Sequence, residues 1–512
     1  MTHNNKTKKF IKDAVMLSLV SVFMRAVGVS FNAYVNRKIG AESMGLFTLV
    51  MSVYGFAVTV AMSCVNLSAV KLTSERCADL RGCDKESWKK SMRSVVRSVT
   101  KYSLLFGLSS GVLLFCLSPV IAEKLLSDVR TLPSLRILAL ILPAISLSSA
   151  LSGFFTGLRK VRKNAVVAIS EQFMKIVVTS TALVMICDGS VEQSCLAVVG
   201  GSAIAEGFSL VLNFVMYVTD SYMPDKENCG VKTRFHHTSF RDAAKISFPA
   251  AVGSYARQGL TTIEHLAIPK GIRKSGLTEK RALEVYGLLQ GIALPLVMFP
   301  YAIIGSFTSL LVPEISELDR LGDNAKIRET TMTVYRCCAL FSLYACGIFT
   351  SFSRELGVMI YSSEEAAKYT LLLGLLVPVM YLDTAVDSVL KGLGEQVYIM
   401  TVNIADAACG VIFVLILTPV MGINGYILTV WICEIGNLAA SIIKLGLRTG
   451  VGVKSALKVH IRPTASIIAA TVFNLLLKNS LPTVIRMMLF SAVYVALVLV
   501  KFKKKKNIAK IS

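Results

Sequence analysis

Apolar residues run along this chain in long blocks, and short segments rich in lysine and arginine separate many of them. Fourteen blocks stand out, at 13–36, 43–68, 96–120, 134–158, 164–187, 194–218, 243–267, 285–312, 331–352, 369–391, 396–417, 422–446, 461–478 and 482–500. About 20 residues of helix cross a hydrocarbon core of roughly 30 Å, so each block suits one span. The pattern predicts an all-α integral membrane protein with about fourteen transmembrane helices. The first block does not read as a cleaved signal peptide: it is too long, lacks a small-residue cleavage site and carries Arg25 at its centre.

Composition agrees with the pattern. Of 512 residues, 54% are hydrophobic and 17% charged, with a mean hydropathy of +0.62; a soluble chain carries about 25% charged residues. With the N-terminus inside, 38 of the 55 lysines and arginines fall in cytoplasmic segments and 14 on the opposite side, while Arg25, Lys175 and Arg257 lie inside helices. Positive charge is retained on the cytoplasmic side, so the asymmetry expects both termini there and an even number of spans. It also accounts for most of the net charge of +23 without any nucleic acid partner. The tail from Lys501 to Lys506 reads as a stop-transfer anchor, with anionic lipid head groups as a second reading.

Little else in the chain suggests chemistry. The twelve cysteines, among them Cys64, Cys116, Cys337, Cys338 and Cys433, form no CxxC and read as small packing residues. Cys77 and Cys83 share a cytoplasmic loop, a reducing setting that argues against a disulfide. His236 and His237 stand together in the next such loop with no further ligand to complete a metal site. There is no GxxxxGK phosphate loop and no GxSxG, and loops of roughly 20–30 residues at most leave no room for a catalytic domain. The reading is of a protein that is not an enzyme and that needs no metal or cofactor.

An internal repeat organises the blocks. An offset of 235 lays 138–171 on 373–406 without a gap, with nine of 34 positions identical. Pro143 falls on Pro378, Gly157-Leu158 on Gly392-Leu393, and Glu171 on Asp406, while Glu206 in the sixth block has a rough counterpart in Glu434 of the twelfth. Blocks six apart cross in the same direction, so the halves are expected to be parallel repeats related by an axis along the membrane normal, an arrangement found in transporters. The expected organisation is a cytoplasmic N-terminus (1–12), an N-lobe of six helices (13–218) and a linker (219–242). A C-lobe of six helices (243–446), a loop (447–460), two accessory C-terminal helices (461–500) and a basic tail (501–512) follow.

Charges inside the blocks mark candidate sites. A charged residue in such a run costs about 2.5–3.5 kcal/mol on insertion scales, and intramembrane ionisable groups usually belong to a pathway. Glu171 and Lys175 are four apart with the acid first, so they share a helical face; they either neutralise one another or face a wet cavity. The others are Arg25, Glu206, Arg257, Glu264, Asp383, Asp387, Asp406 and Glu434, which with that pair make three positive and seven negative residues. Asp383 and Asp387 form a like-charge pair that needs a cation, a proton or an arginine nearby; the first repeat has Ser148 and Ser152 there. Proline supplies expected hinges at Pro143, Pro295, Pro300 and Pro378, of which Pro295 and Pro300 must interrupt the eighth helix. Gly107/Gly111 and Gly153/Gly157 have the GxxxG spacing that lets helices pack closely.

Three stretches carry a family resemblance. They are 21–49, with Arg25-x-x-Gly28; 151–177, with a Gly-aromatic-aromatic-x-Gly exit followed by Glu171-Gln172 and Lys175; and the region from 246–254 through 282–317. On these the chain resembles the stage V sporulation protein B-like flippases of the multidrug/oligosaccharidyl-lipid/polysaccharide exporter superfamily, relatives of the lipid II flippases, over about residues 10–446. The resemblance implies two six-helix lobes in a V-shaped bundle, alternating access, and an undecaprenyl-pyrophosphate-linked saccharide as substrate for wall, spore-cortex or surface-polysaccharide assembly. It implies that Arg25 lies in a central cavity within reach of pyrophosphate, and that Glu171, Gln172 and Lys175 line or brace a path for the sugar. Phe31 and Asn32 stand where lipid II flippases carry further charged residues, and Glu264 where the family has Asp.

Two alternatives stay open. The acid excess suits a cation-coupled multidrug exporter on the same scaffold, with Na+ or H+ bound at Asp383, Asp387, Asp406, Glu206 or Glu434. An integral-membrane glycan-processing enzyme would need a sizeable extracytoplasmic loop, and 269–284 is short. The expected partners are the lipid-linked saccharide and membrane lipids, with a monomer as the simplest state.

Overall fold

A computed structural model describes residues 3–79, 85–185, 190–219, 238–361, 363–477 and 480–508. His236, His237 and Cys83 lie outside the described residues. In lipid every backbone N–H and C=O must find its partner inside the segment, which leaves the helix as the means for an apolar block to cross. Among the described residues the regular elements are all helical. They are α1 (His3–Met62), α2 (Val65–Asp79), α3 (Lys85–Val120), α4 (Leu132–Gly157), α5 (Val161–Met185), α6 (Val191–Val218), α7 (Phe240–Lys274), α8 (Glu279–Tyr286) and, after a π-helical stretch at Gly287–Ala293, α9 (Leu294–Met298). Then come α10 (Tyr301–Arg320), α11 (Asn324–Ser351), α12 (Ser353–Tyr361), α13 (Glu364–Gly374), α14 (Val377–Gly392), α15 (Gln396–Met421), α16 (Ile423–Thr449), α17 (Val453–Leu476) and α18 (Thr483–Ile508).

The helices outrun the apolar blocks at their charged ends. Helix α1 begins at His3 and not at 13, α17 at Val453 and not at 461, and α18 continues to Ile508. Lysine and arginine are good helix formers, so a basic flank prolongs a span instead of ending it. Ten helices among the described residues are long and apolar enough to cross a membrane, or eleven if α13 and α14, bent by 48° at their junction, make one span. The first two blocks count once there because the chain stays helical across them, turning at Gly40 with φ 80°. Glycine takes that left-handed backbone without strain. The apolar part of α18 is short, Thr483–Val498, and α7, with Arg257 and Glu264 inside it, is not among the ten.

The helices gather into two compact units, Met1–Val20 with Lys38–Pro269 and Ser21–Arg37 with Lys270–Ser512. Part of α1 therefore groups with the second unit and most of α7 with the first. In the first unit α4 packs on α2, α3 and α6, and α5 lies on α6. Small residues make these approaches possible. A Cβ on Gly157 would stand 2.6 Å from Thr73 Cβ, and one on Gly111 would stand 2.8 Å from the Ala139 carbonyl. The two GxxxG pairs are packing devices, Gly107 and Gly111 against α4 around Pro143, and Gly153 and Gly157 against α2. Pro143 itself sits inside an unbroken α4.

In the second unit α14 packs on α10, α11 and α16, α15 lies on α16, and α17 packs on α11 and α18. Gly392 takes up the same close contact with α10 that Gly157 makes with α2, its added Cβ falling 2.7 Å from Ile315 Cβ. The last two helices are anchored by Phe352, Ile467, Ala470, Phe490 and Tyr494, and by Arg486, which is buried and bonded to Glu355 on α12. Large apolar side chains remain on the outer surfaces, with Val420 80% and Leu447 81% exposed; such residues suit a hydrocarbon solvent. Nine cysteines among the described residues are free thiols, of which Cys195, Cys338 and Cys346 are buried as packing residues while Cys116, Cys337 and Cys409 are exposed.

Candidate functional site

Among the described residues, two polar clusters hold acids that the sequence placed inside apolar blocks, one in each unit. In the first, Glu171 on α5 takes a hydrogen bond from Ser209 on α6, and Lys175, one turn further, lies within electrostatic reach of both Glu171 and Glu206. Tyr54 on α1 faces the same two acids. Two acids and one lysine leave the group with one excess negative charge when all are ionised. Beside it Asn213 donates to Ser148 Oγ at 2.8 Å, and the Ser148 and Ser209 hydroxyls are 3.4 Å apart. The sequence-predicted pair and Glu206 are thus brought together, with Gln172 half-buried next to them.

In the second unit Asp383 and Asp387 are both buried on α14. Asn437 on α16 reaches Asp383 at 3.4 Å, and Ser441 donates to Asp387 at 3.0 Å. Each carboxylate thus meets an amide or hydroxyl donor from α16. Asp406 on α15 and Glu434 on α16 lie where those helices meet, as Cys433 Sγ approaches the Asp406 carbonyl at 4.0 Å. Aligning Glu206 with Glu434 also aligns Ser209 with Asn437 and Asn213 with Ser441. That register, extended past the acids, would have exposed four polar partners that attention to charge alone passes over.

Arg25 lies in the part of α1 that groups with the second unit. It is exposed, one of its nitrogens donates to the Met298 carbonyl at 3.2 Å, and its guanidinium stands over the Tyr301 ring at 5.6 Å. The carbonyl is available because the helix breaks between α9 and α10, where the Ala302 N–H donates to the Phe299 carbonyl and not to that of Met298. Tyr381 takes the neighbouring Val297 carbonyl at 2.8 Å. The stretch just before Pro295, Gly287–Ala293, is π-helical, and inside it buried Gln290 bonds the Tyr426 hydroxyl; such π-turns recur at functional sites. Pro378 stands at the start of α14, just past the bend from α13. Arg257 is exposed on α7 in the first unit, and Glu264, two turns on, is half-buried.

Broken helices and buried acids within a bundle of long apolar helices are features of a multi-pass membrane protein. Comparison narrows the class. Residues 10–319 match the family model described as "Polysaccharide biosynthesis protein", and the chain belongs to that family. It is 24% identical over 423 residues to stage V sporulation protein B of Bacillus subtilis (strain 168), covering 82% of this chain and 80% of that one. Its fold is similar to that of the lipid II flippase MurJ in an inward closed conformation, with a TM-score of 0.64 and 14% identity over 97% of this chain and 99% of MurJ. It is also similar to an inward-facing multidrug resistance MATE family transporter of the MOP superfamily, with a TM-score of 0.61 and 14% identity over 86% of this chain and 99% of the other.

Proposed function

We propose that this chain carries a lipid-linked saccharide, of the undecaprenyl-pyrophosphate type, from the inner to the outer leaflet by alternating access between two repeats with both termini in the cytoplasm. Membership of the polysaccharide biosynthesis family, together with the paired polar clusters, carries this reading. Ionised groups such as Glu171, Lys175, Glu206, Asp383 and Asp387 are costly in lipid, and the head group of such a carrier brings water and hydroxyls to them. Arg25 and Lys175 supply positive charge for pyrophosphate, with Arg257 as a third cation, while Gln172 and Glu264 offer contacts to sugar. Asp383 and Asp387, with Asp406 and Glu434, are the coupling groups for Na+ or H+. An apolar groove of about 600 Å³ lined by Ile303, Phe341, Phe349 and Met488, between α10, α11 and α18, suits a hydrocarbon tail. The recurrence of α2·α4 and α4·α6 packing as α10·α14 and α14·α16 supports two repeats, with α17 and α18 as the accessory pair.

The excess of buried acids favours one second reading, a cation-coupled drug exporter on the same scaffold. Growth rescue separates the two. Expressed in a bacterium depleted of its lipid II flippase, the wild-type chain should restore growth and a stably inserted Arg25→Ala should not. Failure of a correctly inserted wild-type chain, with gained resistance to cationic drugs, would favour the exporter.

A further inference from the structure

Neither polar cluster explains the two helix breaks, and the breaks answer one another. Between α1 and α2 the chain turns at Ser63 and Cys64, whose φ values are 42° and 54°. Two consecutive non-glycine residues in left-handed conformation persist only where their surroundings hold them. No proline or glycine interrupts the helix there, so the break is imposed by its neighbours. The second break, at Phe299–Pro300 between α9 and α10, has proline as its local cause. The offset of 235 that aligns the two halves carries Ser63–Cys64 onto Met298–Phe299.

The hydrogen bonds repeat as well. Ser146 on α4 donates to the Ala61 carbonyl at 2.8 Å, and Tyr381, its counterpart on α14, donates to the Val297 carbonyl at 2.8 Å. In each half a carbonyl at the break is then taken by the first helix of the opposite half. On α7, Ser247 donates to the Cys64 carbonyl at 2.9 Å, while the Tyr255 hydroxyl meets Ser63 Oγ. On α1, Arg25 donates to the Met298 carbonyl. The division into units follows the same exchange, since Ser21–Arg37 groups with the second unit and α7 as far as Pro269 with the first. Tyr102 completes the first clasp by donating to the Ser63 carbonyl at 3.1 Å.

We infer that the breaks at Ser63–Cys64 and Phe299–Pro300 are matched hinges, each locked by the first helix of the opposite half, α7 through Ser247 and Tyr255 and α1 through Arg25. Hydroxyl and guanidinium donors can follow a bending carbonyl, which allows a hinge to move without stranding backbone groups in an apolar setting. The inference rests on the two halves being repeats and is independent of what the chain carries.

Cys64 reports on the first lock directly. In full-length protein with its other cysteines changed to serine, held in lipid nanodiscs, the rate of N-ethylmaleimide labelling at Cys64 is the readout. Ser247→Ala with Tyr255→Phe removes two hydrogen bonds and should speed labelling about tenfold, while Val252→Ala on the same helix should leave it unchanged. Met298→Cys serves the second lock in a chain free of other thiols, where Arg25→Gln should speed labelling to a similar degree. Unchanged rates at both reporters, in variants that melt like their parents, would overturn the inference whether or not the chain rescues growth. If the double substitution does not fold, Tyr255→Phe alone should still give a threefold to fivefold rise, and no rise would count equally against the lock.

Discussion

Arg25 joins two observations made at the level of single side chains: it is exposed enough to meet a ligand, and it already caps the Met298 carbonyl at the break before Pro300. Replacing it by lysine keeps the charge but loses the planar fork, so Arg25→Lys should rescue growth at least tenfold less well than wild type, while Arg25→Ala should fail. Asp387 offers a separate test, because Asn at this position can still accept from Ser441 and loses only the charge. Asp387→Asn should therefore melt like the parent and lose the dependence of transport on Na+ or pH. An ion dependence that survives would remove Asp387 from coupling. Arg25 and the buried acids were legible as charges inside apolar blocks. Tyr54, Tyr301 and Tyr381 were not, since aromatic residues in such blocks read as ordinary packing until the structure shows which carbonyl or carboxylate their hydroxyls or rings meet.

Helices show the same division between what pattern reveals and what contact decides. Apolar blocks marked the helices that ten or eleven candidate spans among the described residues occupy, and Pro300 marked a true break because its missing N–H acts locally. Pro143 looks identical in sequence, yet α4 runs straight through it, with Gly107 and Gly111 of α3 packed alongside. Ser63–Cys64 carries no breaker at all, and its hinge depends on tyrosines and serines from α3 and α7 that are distant in sequence. Changing Ser63 and Cys64 to two glycines, which take positive φ without strain, should leave at least tenfold more growth rescue than two alanines, since both pairs lose the Ser63 hydroxyl and only the alanines strain the bend. Equal growth rescue by the two pairs would show that the bend does not matter. The glycine contacts predict a simpler result. Gly157→Val or Gly392→Val forces α4 off α2 or α14 off α10, and should destabilise by about 1–3 kcal/mol, seen as a lower melting temperature in detergent.

At the scale of the whole molecule, membership of the polysaccharide biosynthesis family and a fold shared with flippases and drug exporters leave the cargo as the central question. Repeated packing around α4 and α14, hinges in matching register and a polar cluster in each half are the parts an alternating carrier needs. A shared register between the halves was suggested in the sequence by rare residues, a proline, a glycine pair and an acid, that recur at one offset. Grouping of part of α1 with the second unit and of α7 with the first was not legible, because hydropathy marks where a helix crosses and carries no information about its neighbours.

The most direct measurement is a flipping assay in vesicles containing the purified full-length chain and a fluorescent undecaprenyl-pyrophosphate-linked disaccharide. The account predicts that wild-type protein exposes the inner-leaflet head groups to an external quencher at least tenfold faster than protein-free vesicles do, and that Arg25→Ala does not. Head groups that stay protected in vesicles whose protein expels a cationic dye along a Na+ or H+ gradient would contradict it.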